Sequence, residues 1–301
     1  MIPQFPKFKK LALSDRDDVG IYTQHFLPYS DFNFTSILCW DTDGTIQISE
    51  LHGNLVVRFL DYLTGAPFYS FIGLKETSST AHQLLTYSRD TGCGDELKLI
   101  PEMVAQNLNL NLLLVEEDPD HSDYIYPLEK LTRYDGNRLR AKRNFSNRFK
   151  KRYAARVTVL DCADPTIQAS IGKLFNTWSI FKKLQAIEVE NEQKALRRFL
   201  DLKSGKTCIT TGIFDGNDLI AFAANECLRD DYAIMHFEKA DETYVGIYSY
   251  LMEENSKMLF NRGMKYLNFE QDLGLPGLRL SKKSFHPVAF LKKYRVRDII
   301  R

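Results

Sequence analysis

The sequence predicts an α/β protein of mixed sheets, built as two tandem halves. Three observations predict it. Residues 232–239, 247–260 and 264–269 read as strand, helix and strand, with lengths that suit a crossover between neighbouring parallel strands. Residues 207–214 and 219–227 alternate apolar and polar positions around Asp215-Gly216-Asn217-Asp218, a strong hairpin signal. Between the halves, residues 117–137 are polar and turn-rich, headed by Glu117-Asp118-Pro119-Asp120. The expected division is residues 1–130 and residues 131–301.

In chain order, Ser14 caps a helix over 14–27, with Asp15, Asp17 and Asp18 in its positive first turn. Ser30 or Asp31 opens another that runs to Trp40. Residues 45–49 and 54–60 read as a hairpin. Residues 67–73 lead to a helix over 79–88. A strand at 97–100, a short helix at 101–106 and a strand at 110–115 complete the first half, an order that fits a mixed sheet with helices on its faces.

The second half opens with a basic helix, 138–152. Phe145, Phe149 and Tyr153 recur at four-residue spacing as its apolar stripe, beside a polar stripe of Arg140, Asn144, Arg148 and Lys151. A strand at 157–160 and helices at 165–184 and 190–203 precede the hairpin. In the helix over 247–260, Ile247, Leu251, Met258 and Leu259 share the expected buried face. Glu253, Glu254 and Lys257 occupy the opposite one. Asn261 and Gly263 end it.

Composition bounds the class. The chain has 301 residues, 44% hydrophobic and 26% charged, the profile of a soluble globular protein. No apolar run is long enough to span a membrane and the N-terminus lacks a signal-peptide core, so a cytoplasmic location is expected. Five scattered cysteines fit free thiols in a reducing compartment, and neither they nor the six histidines show metal-ligand spacing. Net charge is +1, yet residues 138–156 hold nine basic residues and no acidic one. So concentrated a stripe on an otherwise acidic chain points to an anionic partner, against the bland reading of a solvated helix face.

Two motif look-alikes are set aside. Asp41-Thr42-Asp43-Gly44-Thr45 imitates a phosphotransfer loop whose first aspartate is the nucleophile, but the segment after Thr45 reads as a hairpin rather than the helix such enzymes use. Ser204-Gly205-Lys206-Thr207 ends like a phosphate-binding loop, but Leu200 stands where the leading glycine belongs.

The second half has the strand and helix order of a GNAT acyltransferase. More specifically, several groups of residues resemble bacterial proteins classed with the C-terminal domain of phosphatidylglycerol lysyltransferase. They are His236-Phe237-Glu238-Lys239-Ala240-Asp241, Tyr244-x-Gly246-x-Tyr248, Asn268-x-Glu270-x-Asp272-Leu273-Gly274, Gly277-Leu278-Arg279, Lys282-x-Ser284-Phe285-x-Pro287 and Lys293-Tyr294. The basic segment Lys142-Arg143-Asn144-Phe145-x-Asn147-x-Phe149 and, more weakly, Ser30-Asp31-Phe32-Asn33-Phe34 with Trp40 extend the resemblance over most of the chain. The resemblance implies tandem GNAT-like domains, as in the Fem-type peptidyltransferases. It also implies an aminoacyltransferase activity that takes its acyl group from aminoacyl-tRNA and gives it to a lipid or to a peptide or other amine.

The residues allow specific expectations. Glu238, Glu270 and Asp272 lie at or just after the C-terminal ends of adjacent strands, where α/β sheets place ligands. A carboxylate there serves as general base or holds a substrate ammonium, or pairs structurally with Lys239, Arg279 or Lys282. Arg140, Lys142, Arg143, Asn144, Arg148 and Lys151 are the expected contacts to an RNA donor or an anionic lipid headgroup, joined by Tyr244, Gly246, Arg279, Lys282 and Ser284 around the cleft. His236 is expected to be a satisfied core residue. Acetyl-CoA is not expected as a cofactor: at 243–248 the phosphate loop of a GNAT would need a leading cation and a second small residue, and this chain has Thr243 and Tyr248. The alternatives are a CoA-dependent N-acyltransferase and a non-catalytic module binding RNA or anionic headgroups. No metal is implied.

Overall fold

In a computed structural model, which describes residues 1–61, 64–182, 186–202, 207–229 and 231–299, the chain forms two compact units. Unit 1 comprises residues 1–123, 271–275 and 291–301; unit 2 comprises 124–270 and 276–290. The phosphate-loop look-alike at 204–207 and the end of the preceding helix lie largely outside the described residues.

Unit 1 is a seven-stranded sheet ordered β1-β2-β3-β4-β5-β14-β6. Its strands are β1 (Lys9–Lys10), β2 (Gln47–Leu51), β3 (Asn54–Leu60), β4 (Pro67–Ile72), β5 (Leu97–Pro101), β6 (Leu113–Glu117) and β14 (Lys293–Asp298). Its helices are α1 (Arg16–Thr23), α2 (Phe34–Trp40), α3 (Thr77–Asp90) and α4 (Glu102–Ala105). The N-cap of α2 is Asn33, whose side chain accepts the Ser36 N–H. Val56, Phe71, Leu84, Leu85, Leu97, Ile100 and Val296 pack as its core. Asp41 Oδ1 accepts the N–H groups of Thr45 and Ile46 at 2.6 and 2.9 Å. That carboxylate therefore closes the turn before β2, and a hairpin comes after it.

Unit 2 is a second seven-stranded sheet, β13-β7-β12-β11-β10-β9-β8. Its strands are β7 (Asp123–Pro127), β8 (Arg156–Leu160), β9 (Cys208–Asp215), β10 (Asp218–Cys227), β11 (Tyr232–Ala240), β12 (Tyr266–Asn268) and β13 (Ala289–Leu291). Its helices are α5 (Leu128–Leu131), α6 (Arg140–Arg152), α7 (Pro165–Lys182), α8 (Ala186–Asp201), α9 (Ile247–Phe260) and α10 (Pro276–Lys283). β11 and β12 are parallel neighbours joined through α9, with Tyr232 to Ile234 paired to Tyr266 to Asn268. β11 continues for six residues past that pairing, so its C-terminal part has no partner on that edge among the described residues.

The division differs from a boundary at 130/131 in two respects. The turn-rich stretch 117–137 holds β7 and α5, and β7 pairs with β12 of the second sheet. The C-terminal strand β14 inserts between β5 and β6 of the first sheet. Both pairings are between residues far apart in sequence, which local periodicity does not encode.

Two helix faces also differ from expectation. On α6 the buried residues are Ser146 and Phe149, while Phe145 is 48% exposed. On α9 Glu253 is buried rather than solvated: it accepts the Ser146 hydroxyl (2.5 Å) and pairs with Lys150 (2.6 Å) and Lys257 (2.7 Å). One buried carboxylate with three partners seats Ser146, rather than Phe145, against α9, beside Phe149, which stacks on Tyr250 at 4.6 Å.

Candidate functional site

The site is built on an irregularity in β11. Ala224 of β10 pairs with Phe237, and the next pair is Asn225 with Met235, so His236 is an extra residue in a β-bulge. A bulge reverses which side chains face which side. Before it, Met235 lies beside Asn255 of α9. After it, Phe237 packs on Phe199 of α8 and Lys239 pairs with Glu192 of α8 at 2.7 Å. Glu238 is thereby turned to the α9 side, where its charge is felt by Tyr134 and by Tyr248 of α9.

Glu238 Oε1 is shielded from solvent and accepts no hydrogen bond among the described residues. Burial pushes its carboxyl up to about 7, against the opposing pull of Lys239, Lys142 and Lys282. A buried carboxylate oxygen left without a donor costs about 1–3 kcal/mol or more, which marks this atom as one awaiting a partner.

Three lysines surround that carboxylate without bonding it, each held elsewhere. Lys239 Nζ, besides pairing with Glu192, sits 3.8 Å over the Trp178 ring. Lys282 is buried and donates to the Phe269 carbonyl. Lys142, on the inner side of α6, places its ammonium 3.7 Å over the Phe285 ring, and burial lowers its pKa. The basic helix thus turns one lysine inward toward Glu238 instead of presenting all its cations to solvent.

The other two expected carboxylates are placed differently. Glu270 has a left-handed backbone (φ 53°), and its Oε1 lies 3.3 Å from His236 Nδ1. His236 is buried between Glu270 and Glu226, the latter 3.6 Å from Nε2. Burial alone would lower its pKa, yet the two carboxylates carry it up to about 9, so the imidazole is a buried charged group held between two acids. Asp272 belongs to unit 1, where it is buried and accepts the Gly274 N–H at 2.9 Å as the hinge of a tight turn. Of the three, Glu238 is the one with a solvent-shielded carboxylate oxygen that accepts no hydrogen bond among the described residues.

The expected binding residues also separate. Asn144, Arg148 and Lys151, with Asn147 and Arg152, line a shallow depression of about 580 Å³ on the outer side of α6. Arg140 is exposed at the start of that helix. Arg143 turns back instead, donating to the Tyr134 carbonyl at 2.7 Å. Tyr244 donates to Asp215 at 3.0 Å and packs on Tyr153, pinning the loop before α9 to the β9–β10 turn. Gly246 is the N-cap of α9 and abuts the α6 backbone. Arg279 is half-buried on α10, and Ser284 closes the end of that helix onto the Ser281 carbonyl at 2.5 Å. Tyr134, Trp178 and Glu192 carry no motif signal and went unidentified in the sequence. Among the described residues, no group of three or more His, Cys, Asp or Glu side chains is arranged to hold a metal ion, and no helix is long and apolar enough to cross a membrane.

This architecture has known counterparts. A conserved protein of unknown function from Bacteroides thetaiotaomicron VPI-5482 superposes with a TM-score of 0.82 at 22% identity, covering 99% of this chain and 100% of that one. L-PGS from Bacillus licheniformis superposes with a TM-score of 0.61 at 13% identity, covering 100% of this chain and 95% of that one. FemX superposes with a TM-score of 0.58 at 9% identity, over 96% of each chain. The fold is therefore that of the tandem GNAT-like and Fem-type acyltransferases. A search of curated proteins returned no match. The profile of the family described as phosphatidylglycerol lysyltransferase, C-terminal, matches residues 26–297, and by that match over most of its length the chain belongs to this family.

Proposed function

We propose that this protein is an aminoacyltransferase that draws its acyl group from aminoacyl-tRNA. Family and fold support transfer of this general kind. The observation that carries the reading is Glu238: a shielded carboxylate with an unbonded oxygen, its pKa raised to about 7, on a strand end beside an inward-facing lysine. A carboxylate that titrates near neutrality is suited to take a proton at working pH and to give it back.

In this reading Glu238 removes the proton from the acceptor hydroxyl or neutral amine as that nucleophile attacks the ester carbonyl carbon of the aminoacyl-tRNA. The new bond forms from the acceptor to that carbon, and the bond to the ribose oxygen breaks. The departing ribose oxygen takes a proton back from the Glu238 carboxyl, so the base is regenerated. The exposed cations Arg140, Arg148 and Lys151 hold RNA phosphates on the outer side of α6, a contact that weakens steeply with salt. The acceptor is a lipid headgroup or a peptide or other amine.

We read the site as taking no acetyl-CoA. Two features support this: the loop before α9 lacks the leading cation and second small residue of a phosphate cradle, and the α6 backbone carbonyl of Phe145 lies directly against Gly246 at the α9 N-terminus. A pyrophosphate laid there meets a carbonyl oxygen instead of free N–H groups.

The test incubates purified protein with bulk charged tRNA and, separately, a bacterial lipid extract or soluble amines, and follows the labelled aminoacyl group. Transfer that falls by about 10²–10⁴-fold in Glu238→Gln supports the assignment. Retention of full transfer in that variant removes Glu238 as the base. Binding of acetyl-CoA with no preference for charged over uncharged tRNA moves the protein to the small-molecule acyltransferases.

A further inference from the structure

Lys142 and Glu238 are half-buried groups of opposite charge that feel each other's field and do not bond. The Lys142 ammonium rests 3.7 Å over the Phe285 ring and, among the described residues, makes no hydrogen bond and no ion pair. Glu238 Oε1 is likewise shielded from solvent and unbonded. Charges drawn out of water ordinarily meet, because only pairing offsets the loss of their hydration. Here an unspent donor and an unspent acceptor share one neighbourhood and stay apart.

The packing holds them so. Phe285 is buried against Tyr126 and Tyr134. Tyr134 spends its hydroxyl on the Ser249 carbonyl at 2.5 Å, and Arg143, the residue after Lys142 on α6, donates to the Tyr134 carbonyl at 2.7 Å. The ring under the ammonium and the helix that carries it are therefore both fixed. The two other lysines near Glu238 are engaged: Lys239 pairs with Glu192, and Lys282 donates to the Phe269 carbonyl. An acceptor oxygen and a donor nitrogen in this arrangement fit a guest with a proton to give at one end and an oxygen to be stabilised at the other. The transition state of acyl transfer has both.

We infer that Lys142 is the electrophilic residue of the transfer, its ammonium donating to the carbonyl oxygen of the aminoacyl ester while Glu238 takes the acceptor's proton. The inference rests on the acyl-transfer reading and adds a second catalytic residue to it. As the nucleophile's electron pair bonds to the carbonyl carbon, the C=O π pair moves onto the oxygen. Lys142 hydrogen-bonds that oxyanion and keeps its own proton. The pair then re-forms C=O as the bond to the ribose oxygen breaks, and the ribose oxygen takes the proton that Glu238 holds. Negative charge thus passes from Glu238 to the oxyanion and back, and Lys142 has one anionic neighbour throughout. Its burial strengthens that attraction.

The test measures kcat and KM for transfer, together with binding of two unreactive analogues of the donor's aminoacyl-adenosine end: a planar amide and a tetrahedral, anionic phosphonate. Lys142→Met keeps an unbranched side chain over Phe285 and is expected to keep the parent Tm. It is expected to lower kcat by about 10²–10³-fold with KM little changed. It leaves the pH-dependent rise in rate in place, and it abolishes a preference of about tenfold or more that the parent shows for the phosphonate over the amide. Lys142→Arg recovers part of both. Glu238→Gln does the reverse, losing the pH-dependent rise and keeping the phosphonate preference. Parental kcat in Lys142→Met overturns the inference, and transfer that still depends on Glu238 then leaves the base assignment standing. A parent that binds the phosphonate no better than the amide also overturns it, as does a fall in kcat matched by a fall in Tm with the analogue preference unchanged. A parent that neither transfers nor binds either analogue overturns the acyl-transfer reading and this inference with it.

Discussion

Gly246 stands so close to Phe145 that a Cβ built on it falls 2.3 Å from the Phe145 carbonyl oxygen. The contact joins the N-terminus of α9 to the middle of α6, and Gly246 holds it with a left-handed φ of 91°. Gly246→Ala must therefore both strain its own backbone and push two helices apart, a loss of about 2–4 kcal/mol. Gly263→Ala is the internal control: it also has positive φ, 89°, but a Cβ there meets nothing within 4 Å. The cost there is about 1 kcal/mol. Urea denaturation of the two variants checks the difference, and equal losses would refute the close-approach role.

Glu238 gives a prediction for both rate and stability. Its carboxyl titrates at about 7 in the folded protein against an ordinary value near 4.5. Transfer that needs the carboxylate as base rises with pH through about 7 and then levels, and in Glu238→Gln that rise disappears. For stability, a folded-state pKa above the unfolded one means that the contribution is fully present below about 4.5 and is lost as pH climbs through 7. Glu238→Gln is therefore expected to stabilise the protein at pH 8 by up to about 3 kcal/mol and to do little at pH 4. A stabilisation independent of pH would show that the carboxyl is not buried as described.

How much of this was legible in the sequence depends on which interactions were local. The 207–227 hairpin, the 232–269 crossover and the helices on either side follow from turn chemistry and periodicity, and they stand where expected. Glu238 was identifiable as a strand-end carboxylate, but the side of the sheet it occupies was not. Period-two alternation puts Glu238 on the same face as Ile234, and only the bulge at His236 moves it across. The separate fates of Glu270 and Asp272 were likewise hidden, because the chain changes unit between them. On α6 the four-residue spacing placed Phe149 and Tyr153 against the core as found, but it also turned Phe145 inward, since nothing local tells that Glu253, more than a hundred residues away, would draw Ser146 and Lys150 inward instead.

His236 supplies a test at alkaline pH. Its imidazolium, buried between Glu226 and Glu270, is carried to about 9 from an ordinary value of 6.5. A raised folded-state pKa gives stability that is complete below about 6.5 and is lost as pH rises through 9. The loss is on the order of 3 kcal/mol. In His236→Gln the alkaline part of the stability profile is expected to flatten, with a lower plateau below neutrality. An NMR titration that finds this imidazole neutral at pH 7 would refute the pairing.

Lys293 ties the C-terminal strand into unit 1 by charge. It is fully buried, donates to Asp123 at 2.7 Å and to Asp31, and reaches Ser30 and Gln271 at 3.3 and 3.1 Å. Burial by itself would lower its pKa, but the two carboxylates hold it at about 12, so it is charged at any working pH. Asp123 in turn accepts the N–H and the hydroxyl of Ser30, each at 2.7 Å. Lys293→Met strands the buried Asp123 carboxylate beside the partly buried Asp31 and is expected to cost about 3–5 kcal/mol. Adding Asp123→Asn to that variant removes one of the stranded charges, so the double variant is expected to be more stable than the sum of the two single losses allows. A double-mutant cycle by chemical denaturation measures this coupling. A coupling energy near zero would mean that β14 is held by its strand pairing with β5 and β6 alone, and that the buried lysine adds no specificity to where the chain's end is placed.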